Sequence, residues 1–173
     1  MQLADALDPG AANADDVLSL AAFASRGGKV LLYHGEADAD IPVGNSLFLH
    51  ERVRETCGDD DFFRMFLVPG MRHCAGSEAA PWYVGAAGHA ISLGVTEPVG
   101  ELRDAEHDVV VAMMGWVEDG DAPERLVASK FGNDSAVEGI EGQRPLCVYP
   151  RRARFVGGEE GDPADVGSWE CEV

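Results

Sequence analysis

Two short apolar runs constrain the fold of this chain more than any other feature of its sequence. Residues 29–33, Lys-Val-Leu-Leu-Tyr, follow two glycines, and residues 62–68 are apolar at all positions except Arg64 before the chain turns at Pro69. A continuous apolar run between turn residues is typical of a strand that is buried on both faces of a parallel sheet. We therefore expect two buried parallel strands that belong to one sheet.

Helical patterns precede the first run and separate it from the second. Residues 15–25 form an apolar pattern that stops at two glycines, and residues 45–54 place Leu47, Phe48 and Val53 in one stripe. The order helix, strand, helix, strand predicts the closing βα units of an α/β sheet, which is the fold class we expect. In such sheets the functional residues lie at the carboxyl ends of the strands.

The rest of the chain gives weaker patterns. Residues 1–13 predict an irregular lead-in, and residues 76–106, without clear periodicity, predict a long excursion over the surface. Residues 104–119 predict a helix, in which we expect one apolar stripe, including both methionines, to fill the core. That stripe consists of Val110, Met113, Met114 and Val117.

The charge of the chain excludes several classes of partner. There are 31 acidic and 13 basic residues, which give a formal net charge of −18. Such a field repels phosphate backbones and anionic lipids, so we expect neither nucleic-acid nor membrane partners. No apolar stretch approaches the ~20 residues of a membrane span, and no signal-peptide pattern begins the chain. The four cysteines lack the CxxC spacing of zinc and thioredoxin-type sites, which leaves disulfides open.

The two predicted strands each end in a turn that carries titratable side chains. Asp38 and Asp40 follow the first strand, and His73 follows the second. An acid and then a histidine on successive strand-end loops is the chain order of the last two members of an α/β-hydrolase triad. A serine nucleophile needs an imidazole as general base and a carboxylate that orients the ring. Taken singly, Asp38 also suits a turn that caps the next helix, and His73 suits a locally satisfied loop histidine.

Longer segments around these residues resemble the tannase and feruloyl esterase family. Residues 27–42, GGKVLLYHGEADADIP, are similar to the family's Gly-Gly-Lys strand with His-Gly-x-x-Asp-x-x-Ile-Pro, whose triad aspartate corresponds to Asp38. Residues 61–76, DFFRMFLVPGMRHCAG, are similar to its Phe-x-Arg-x-Phe-x-Val-Pro-Gly-Met-x-His-Cys-x-Gly, whose triad histidine corresponds to His73. Further likeness lies at residues 116–123 and 144–150, so the resemblance covers most of the chain.

The resemblance implies a function and a fold. The chain would be the C-terminal segment of a secreted serine carboxylic ester hydrolase that cleaves phenolic esters, feruloyl or galloyl, through an acyl-enzyme. Residues 1–173 would form the C-terminal fragment of an α/β-hydrolase fold: its closing βα units and a C-terminal extension. Asp38 and His73 would be the catalytic residues.

The resemblance also implies disulfides and what lies outside the chain. Cys74 would pair with an upstream cysteine beside the nucleophilic serine, and Cys147 would pair with Cys171, while Cys57 has no assigned partner. In the family the nucleophile, the oxyanion hole, the calcium site and the substrate-selecting lid lie upstream. We therefore expect no cofactor or metal in this chain, and as partners a phenolic ester and the missing N-terminal part of the domain.

The chain departs from the family at the nucleophile, because no G-x-S-x-G occurs in it. We expect the chain alone to be inactive. The alternative interpretation is a truncated remnant without activity, or a pairing module that lacks the nucleophile. Upstream in-frame sequence encoding G-x-C-S-x-G would decide between these interpretations.

Several other side chains are predicted to have structural roles. We expect His34 to hydrogen-bond across its turn, and we expect Trp82 and Tyr83 either to pack or to line an acyl pocket. We expect the remaining histidines on the surface or on helices; they are His50, His89 and His107. We expect the basic cluster of Arg151, Arg152 and Arg154 to form local ion pairs.

Overall fold

A computed structural model describes residues 17–58 and 61–173. The lead-in predicted for residues 1–13 lies outside the described residues. In chain order the helices and strands are α1 (Val17–Ala24), β1 (Val30–Gly35), α2 (Gly44–Cys57), β2 (Phe63–Val68), α3 (Ala87–Ser92), α4 (Val109–Glu118), β3 (Arg125–Phe131), β4 (Ile140–Cys147), β5 (Arg152–Phe155) and β6 (Trp169–Glu172).

Strands β1 and β2 lie parallel and in register, from Val30 opposite Phe63 to Gly35 opposite Val68, with α2 as the connection. Successive side chains of a strand point to opposite faces, so the apolar run supplies both faces of the sheet. The predicted parallel pair is confirmed. Strand β1 is less buried than expected, with half-buried residues up to His34, because among the described residues it pairs only with β2.

Each face of this two-stranded sheet covers a hydrophobic cluster. Helices α1 and α2 cover one face, where Val17 and Val53 pack with Phe63 and Met65. The other face contributes Phe66 and Val68 to a larger cluster that includes residues of α4 and of the β3–β4 hairpin. The sheet is therefore sandwiched between helices on one side and a mixed layer on the other.

The segment predicted as a surface excursion, residues 76–106, has a buried centre at residues 82–85, whereas about half of its residues are exposed. Trp82, Tyr83 and Val84 are each 1% exposed. The backbone N–H groups of Trp82 and Tyr83 donate to the carbonyl of Ser129 on β3, at 3.1 and 3.0 Å, and Ser129 donates back to Tyr83 at 2.9 Å. Irregular chain can be buried here because β3 satisfies its backbone polar groups. Both aromatic residues pack in the core.

Helix α4 presents a different face to the core than its pattern predicted. The side chain of Asp108 caps the helix by accepting hydrogen bonds from the backbone N–H groups of its first turn, so the helix begins five residues later than predicted. The prediction that the apolar stripe fills the core is wrong for three of its four residues. The exposed residues are Val110 (55%), Met114 (51%) and Val117 (61%), whereas Val109, Ala112 and Trp116 are buried. Almost every residue of α4 is apolar, so periodicity could not select the face.

The C-terminal part forms two antiparallel pairs, β3 with β4 and β5 with β6. A disulfide between Cys147 and Cys171 joins β4 to β6, the pairing that the resemblance implied. After β4, the backbone N–H of Tyr149 donates to the carbonyl of Met65 on β2 at 2.8 Å. The C-terminal extension is thus attached to the outer edge of β2. Within the described ranges, every helix is too short or too polar to cross a membrane.

Candidate active site

The loops that follow β1 and β2 are locked together at the carboxyl ends of the strands. The backbone N–H of Glu36 donates to the carbonyl of Val68 at 3.0 Å, and that of Ala37 donates to the carbonyl of Met71 at 3.1 Å. A Cβ atom on Gly35 would collide with the Met71 carbonyl oxygen, so glycine is required where the two loops touch. Met71 is itself 1% exposed and anchors the second loop in the core.

This contact brings Asp38 and His73 together although 35 residues separate them. Asp38 Oδ2 lies 3.0 Å from His73 Nδ1. Asp38 Oδ1 accepts hydrogen bonds from the backbone N–H groups of Asp40 at 2.9 Å and Ile41 at 2.8 Å. One oxygen therefore stabilises the turn and the other orients the imidazole. The helix-capping alternative for Asp38 is not observed, because α2 begins after Val43 without a side-chain cap.

Burial differs between the two partners in a way that suits proton transfer. The Asp38 side chain is 6% exposed, whereas that of His73 is 47% exposed. The Ile41 backbone N–H, and then the His73 ring, outweigh burial and lower the pKa of the Asp38 carboxyl. The hydrogen bond that His73 donates to Asp38, and then the charge of Asp38, raise the pKa of His73. With Nδ1–H donated to an ionised carboxylate, neutral His73 carries its lone pair on Nε2, where it can accept a proton.

His34 braces the loop that holds Asp38. Its Nε2 lies 2.9 Å from the carbonyl of Ile41, and its Nδ1 lies 2.7 Å from Ser46 Oγ. Because a carbonyl only accepts, Nε2 carries the proton and Nδ1 accepts from the Ser46 hydroxyl. The predicted hydrogen bond across the turn is confirmed. The sequence interpretation missed Ser46 as the second partner.

Cys74 follows His73 in a left-handed backbone conformation, with φ of 62°. Its thiol is free and exposed in this structure, and Cys57 is also free. An open cleft is lined by Tyr33, His34, Gly35, Asp38, Ile41, Met71, His73 and Cys74. The exposed thiol, the imidazole and the carboxylate therefore share one surface depression.

A buried histidine supports the wall of this cleft. His89 is 1% exposed, accepts a hydrogen bond from the Val84 backbone N–H at 3.2 Å on Nδ1, and stacks edge-on against Trp82 and Tyr33. Burial lowers its pKa to about 4, against a smaller opposing effect of the Cys74 backbone. The sequence interpretation placed His50, His89 and His107 on the surface or on helices. His50 and His89 are helical but buried, and nothing in the Gly- and Ala-rich context of His89 signalled it.

The described residues place no serine hydroxyl beside His73 as a nucleophile. Within the described part of the chain, no serine hydroxyl forms a hydrogen bond with His73. Ser46 Oγ is engaged by His34, and Ser77, 3% exposed, accepts from the Ala80 backbone N–H. Nor does any group of three His, Cys, Asp or Glu side chains suited to a metal ion occur among residues 17–58 and 61–173.

Comparison with known proteins identifies the family. The family model described as "Tannase and feruloyl esterase" matches residues 2–171. The chain belongs to this family. It is 39% identical over 159 residues to a probable feruloyl esterase B-2 of Aspergillus terreus, and 41% identical over 159 residues to a probable feruloyl esterase B of Aspergillus clavatus. These alignments cover 89% and 88% of this chain but only 28% and 27% of the relatives.

Two solved structures of esterases superpose on the chain. A crystal structure of an esterase from Aspergillus oryzae aligns with a TM-score of 0.71 at 35% identity, over 87% of this chain and 28% of that one. The crystal structure of feruloyl esterase B from Aspergillus oryzae aligns with a TM-score of 0.71 at 32% identity, over 88% and 28%. The chain thus spans about 28% of the length of the relatives that it matches.

Proposed function

We propose that this chain is the C-terminal segment of a serine carboxylic ester hydrolase, within an α/β-hydrolase fold. The observation that carries the proposal is the 3.0 Å hydrogen bond between Asp38 Oδ2 and His73 Nδ1, at the carboxyl ends of two parallel strands. A buried acid behind a half-exposed imidazole is the arrangement that a nucleophilic hydroxyl requires. Family membership supports the same reaction.

The mechanism assigns one role to each group. A serine hydroxyl from outside the 173 residues attacks the ester carbonyl, and His73 Nε2 takes the hydroxyl proton. His73 then gives this proton to the leaving alcohol, and an acyl-enzyme remains. Water, deprotonated by His73, attacks the acyl group; the acid is released, and His73 returns the proton to the leaving serine oxygen. Asp38 stays ionised throughout, fixes the ring through Nδ1 and stabilises the imidazolium.

The position of Cys74 suits a disulfide with the segment that carries the nucleophilic serine. Its exposed thiol sits beside His73 and has no partner among the described cysteines. We propose that it pairs with a cysteine next to the serine, which would fix the separation of serine and histidine. Such a disulfide, together with that between Cys147 and Cys171, suits an oxidising compartment and hence secretion.

The substrate class of the proposal is phenolic esters, feruloyl or galloyl. It rests on the names of the relatives, which are called probable feruloyl esterases, and on the family description. The cleft beside His73 contains Tyr33 and Ile41, whose apolar surfaces suit an aromatic acyl group.

The test compares two polypeptides. The 173-residue chain alone should not hydrolyse methyl ferulate or methyl gallate, because the serine is absent. The polypeptide extended by in-frame upstream sequence encoding G-x-C-S-x-G should hydrolyse one of them. His73→Ala should lower turnover by on the order of 10⁴-fold or more.

His107→Ala is the matched control, because His107 is also paired with an aspartate but lies outside the cleft. It should leave turnover unchanged. Turnover by the 173-residue chain that His73→Ala abolishes would overturn the assignment of the nucleophile to a missing segment. An upstream region without such a serine would instead support the inactive remnant.

A further inference from the structure

A second pocket, separate from the cleft, contains an arginine with one buried N–H group that has no partner among the described residues. The Arg144 guanidinium on β4 lies 4.2 Å from the centre of the Trp169 ring. Its Nε is buried and has no hydrogen-bond partner among the described residues. No ion pair of Arg144 with a described carboxylate occurs either. A partly buried cation without a counter-charge is costly, so the site favours an anion.

The aromatic support of this arginine is fixed in place. The Trp169 indole Nε1 donates to the carbonyl of Pro163 at 3.1 Å, and its ring packs edge-on against Phe155 at 5.3 Å between centroids. A guanidinium that lies over a fixed ring is held in place by its contact with the face of that ring. Arg144 is thus oriented before any ligand arrives. Burial also lowers the pKa of Arg144, which is consistent with its desolvation.

The neighbouring arginine at this pocket is already satisfied. The Arg151 Nη2 donates to the carbonyl of Cys171 at 3.1 Å, and its Nη1 lies 3.8 Å from Glu124. Arg152 is exposed at the rim. Arg144 is therefore the unsatisfied donor in the pocket wall.

The remaining walls indicate the chemistry of the ligand. Leu67, Pro69, Pro145, Leu146 and Tyr149 give apolar walls, and Glu36 is the one acid among the described lining residues. Glu36 and a net charge of −18 disfavour a dianion such as phosphate. A monoanion with an apolar body fits both the walls and the fork of the guanidinium.

We propose that Arg144 and Trp169 form a binding pocket for an organic carboxylate. Arg144 binds the carboxylate oxygens, Trp169 backs the guanidinium, and the apolar walls hold the organic part. The carboxylate has two possible sources: a free organic acid, or an acidic side chain of a segment that precedes residue 1 in a longer polypeptide. Binding in this pocket is a separate proposal from ester hydrolysis, because the pocket shares no lining residue with the cleft around His73.

The experiment titrates the 173-residue chain with benzoate and with acetate. The probes are the Arg144 Nε–H resonance in nitrogen-edited NMR spectra and the Trp169 indole resonance. Both should shift saturably, with benzoate binding more tightly than acetate. Arg144→Gln should weaken benzoate binding at least tenfold. Arg154→Gln is the matched control, since Arg154 pairs with Glu172 on the exposed surface outside the pocket, and it should leave binding unchanged.

Further arms keep the proposal falsifiable. If Arg144→Gln does not fold, the wild-type Nε–H shift and Arg144→Lys, which keeps the charge but loses the fork, still test it. A folded chain in which benzoate leaves the Arg144 resonance unmoved overturns the proposal, and so does phosphate binding as tightly as benzoate. In the extended polypeptide, retained benzoate binding identifies a free acid as the ligand. Loss of benzoate binding, with an acidic side chain paired to Arg144, identifies the internal source.

Discussion

Among the described residues, two aspartate–histidine pairs are joined by hydrogen bonds of similar length but are built very differently. Asp38 and His73 are 35 residues apart and meet because two strand-end loops touch. Asp104 and His107 are three residues apart, and one turn of chain is enough to join them, at 2.8 Å. Distance alone therefore does not distinguish a candidate catalytic pair from a local one.

The difference lies in burial and in what surrounds the carboxylate. The Asp38 side chain is 6% exposed, and the His73 ring beside it is 47% exposed. In the local pair the order is reversed, with Asp104 53% exposed and His107 18% exposed. A general base needs a shielded acid and an accessible imidazole, so only the long-range pair has the required polarity.

The largest expected effect separates the two pairs by activity. In the extended polypeptide, Asp38→Asn should lower turnover of methyl ferulate by on the order of 10⁴-fold, because the amide favours the wrong tautomer of His73. Asp104→Asn should leave turnover unchanged. Equal losses in the two variants, measured by initial rates, would contradict the distinction between the pairs.

A second prediction tests the support beneath the long-range pair by acid unfolding. The folded state depresses the pKa of His89 to about 4, so the unfolded chain binds the proton more readily between that value and its ordinary ~6.5. The stability that neutral His89 contributes is present above about pH 6.5 and is lost as the pH falls toward 4. The full loss is about 3 kcal/mol.

Urea unfolding between pH 7 and pH 4 measures this effect. His89→Gln should flatten the pH dependence, because it removes the buried imidazole from the folded state. The same slope in the wild-type chain and in His89→Gln would show that other groups cause the acid loss.

A third prediction concerns the contact between the two loops. Gly35→Ala should lower the free energy of unfolding by about 1–3 kcal/mol, because the added methyl group meets the Met71 backbone. Gly44→Ala is the control, since nothing lies within 4 Å of a Cβ there, and it should change stability by less than about 0.5 kcal/mol. Thermal unfolding of both variants measures the difference, and equal stabilities would refute a tight loop contact.

The smallest expected effect is on the titration of His73. Asp38 raises the pKa of His73, so Asp38→Asn should lower that pKa toward the ordinary value, and Asp104→Asn should leave it in place. Stabilisation by the charged ring is fully present below the unfolded pKa and is lost as the pH rises through the raised folded value. Imidazole NMR titration of the 173-residue chain reports this pKa. If the pKa of His73 is identical in the wild type and in Asp38→Asn, Asp38 and His73 are not paired in solution.

Much of the site could be predicted from the sequence because it depends on local pattern. The apolar runs at residues 29–33 and 62–68 mark the parallel strands, and Asp38 and His73 follow them directly. The brace formed by His34 follows from its place in the turn. Ser46 and His89 could not be predicted, since each acts on the site through a contact that neither spacing nor residue type announces.

The backbone pairing of Trp82 and Tyr83 with β3 and the inward face of helix α4 could not be predicted, for the same physical reason. Trp82 and Tyr83 are in the core because β3, more than 40 residues later, pairs with their backbone. Almost all of α4 is apolar, so only the packed neighbours decide that Trp116 faces inward and Met114 outward.

By itself, the sequence determined which elements form and which chemical groups stand at the strand ends, because strand pattern and turn chemistry are local. Only the tertiary structure decided that Asp38 and His73 lie 3.0 Å apart, with the acid shielded and the ring exposed. It also decided that Arg144 lies against Trp169, 25 positions along the chain. Such contacts depend on how distant segments pack, and packing is a property of the whole fold rather than of any stretch of sequence.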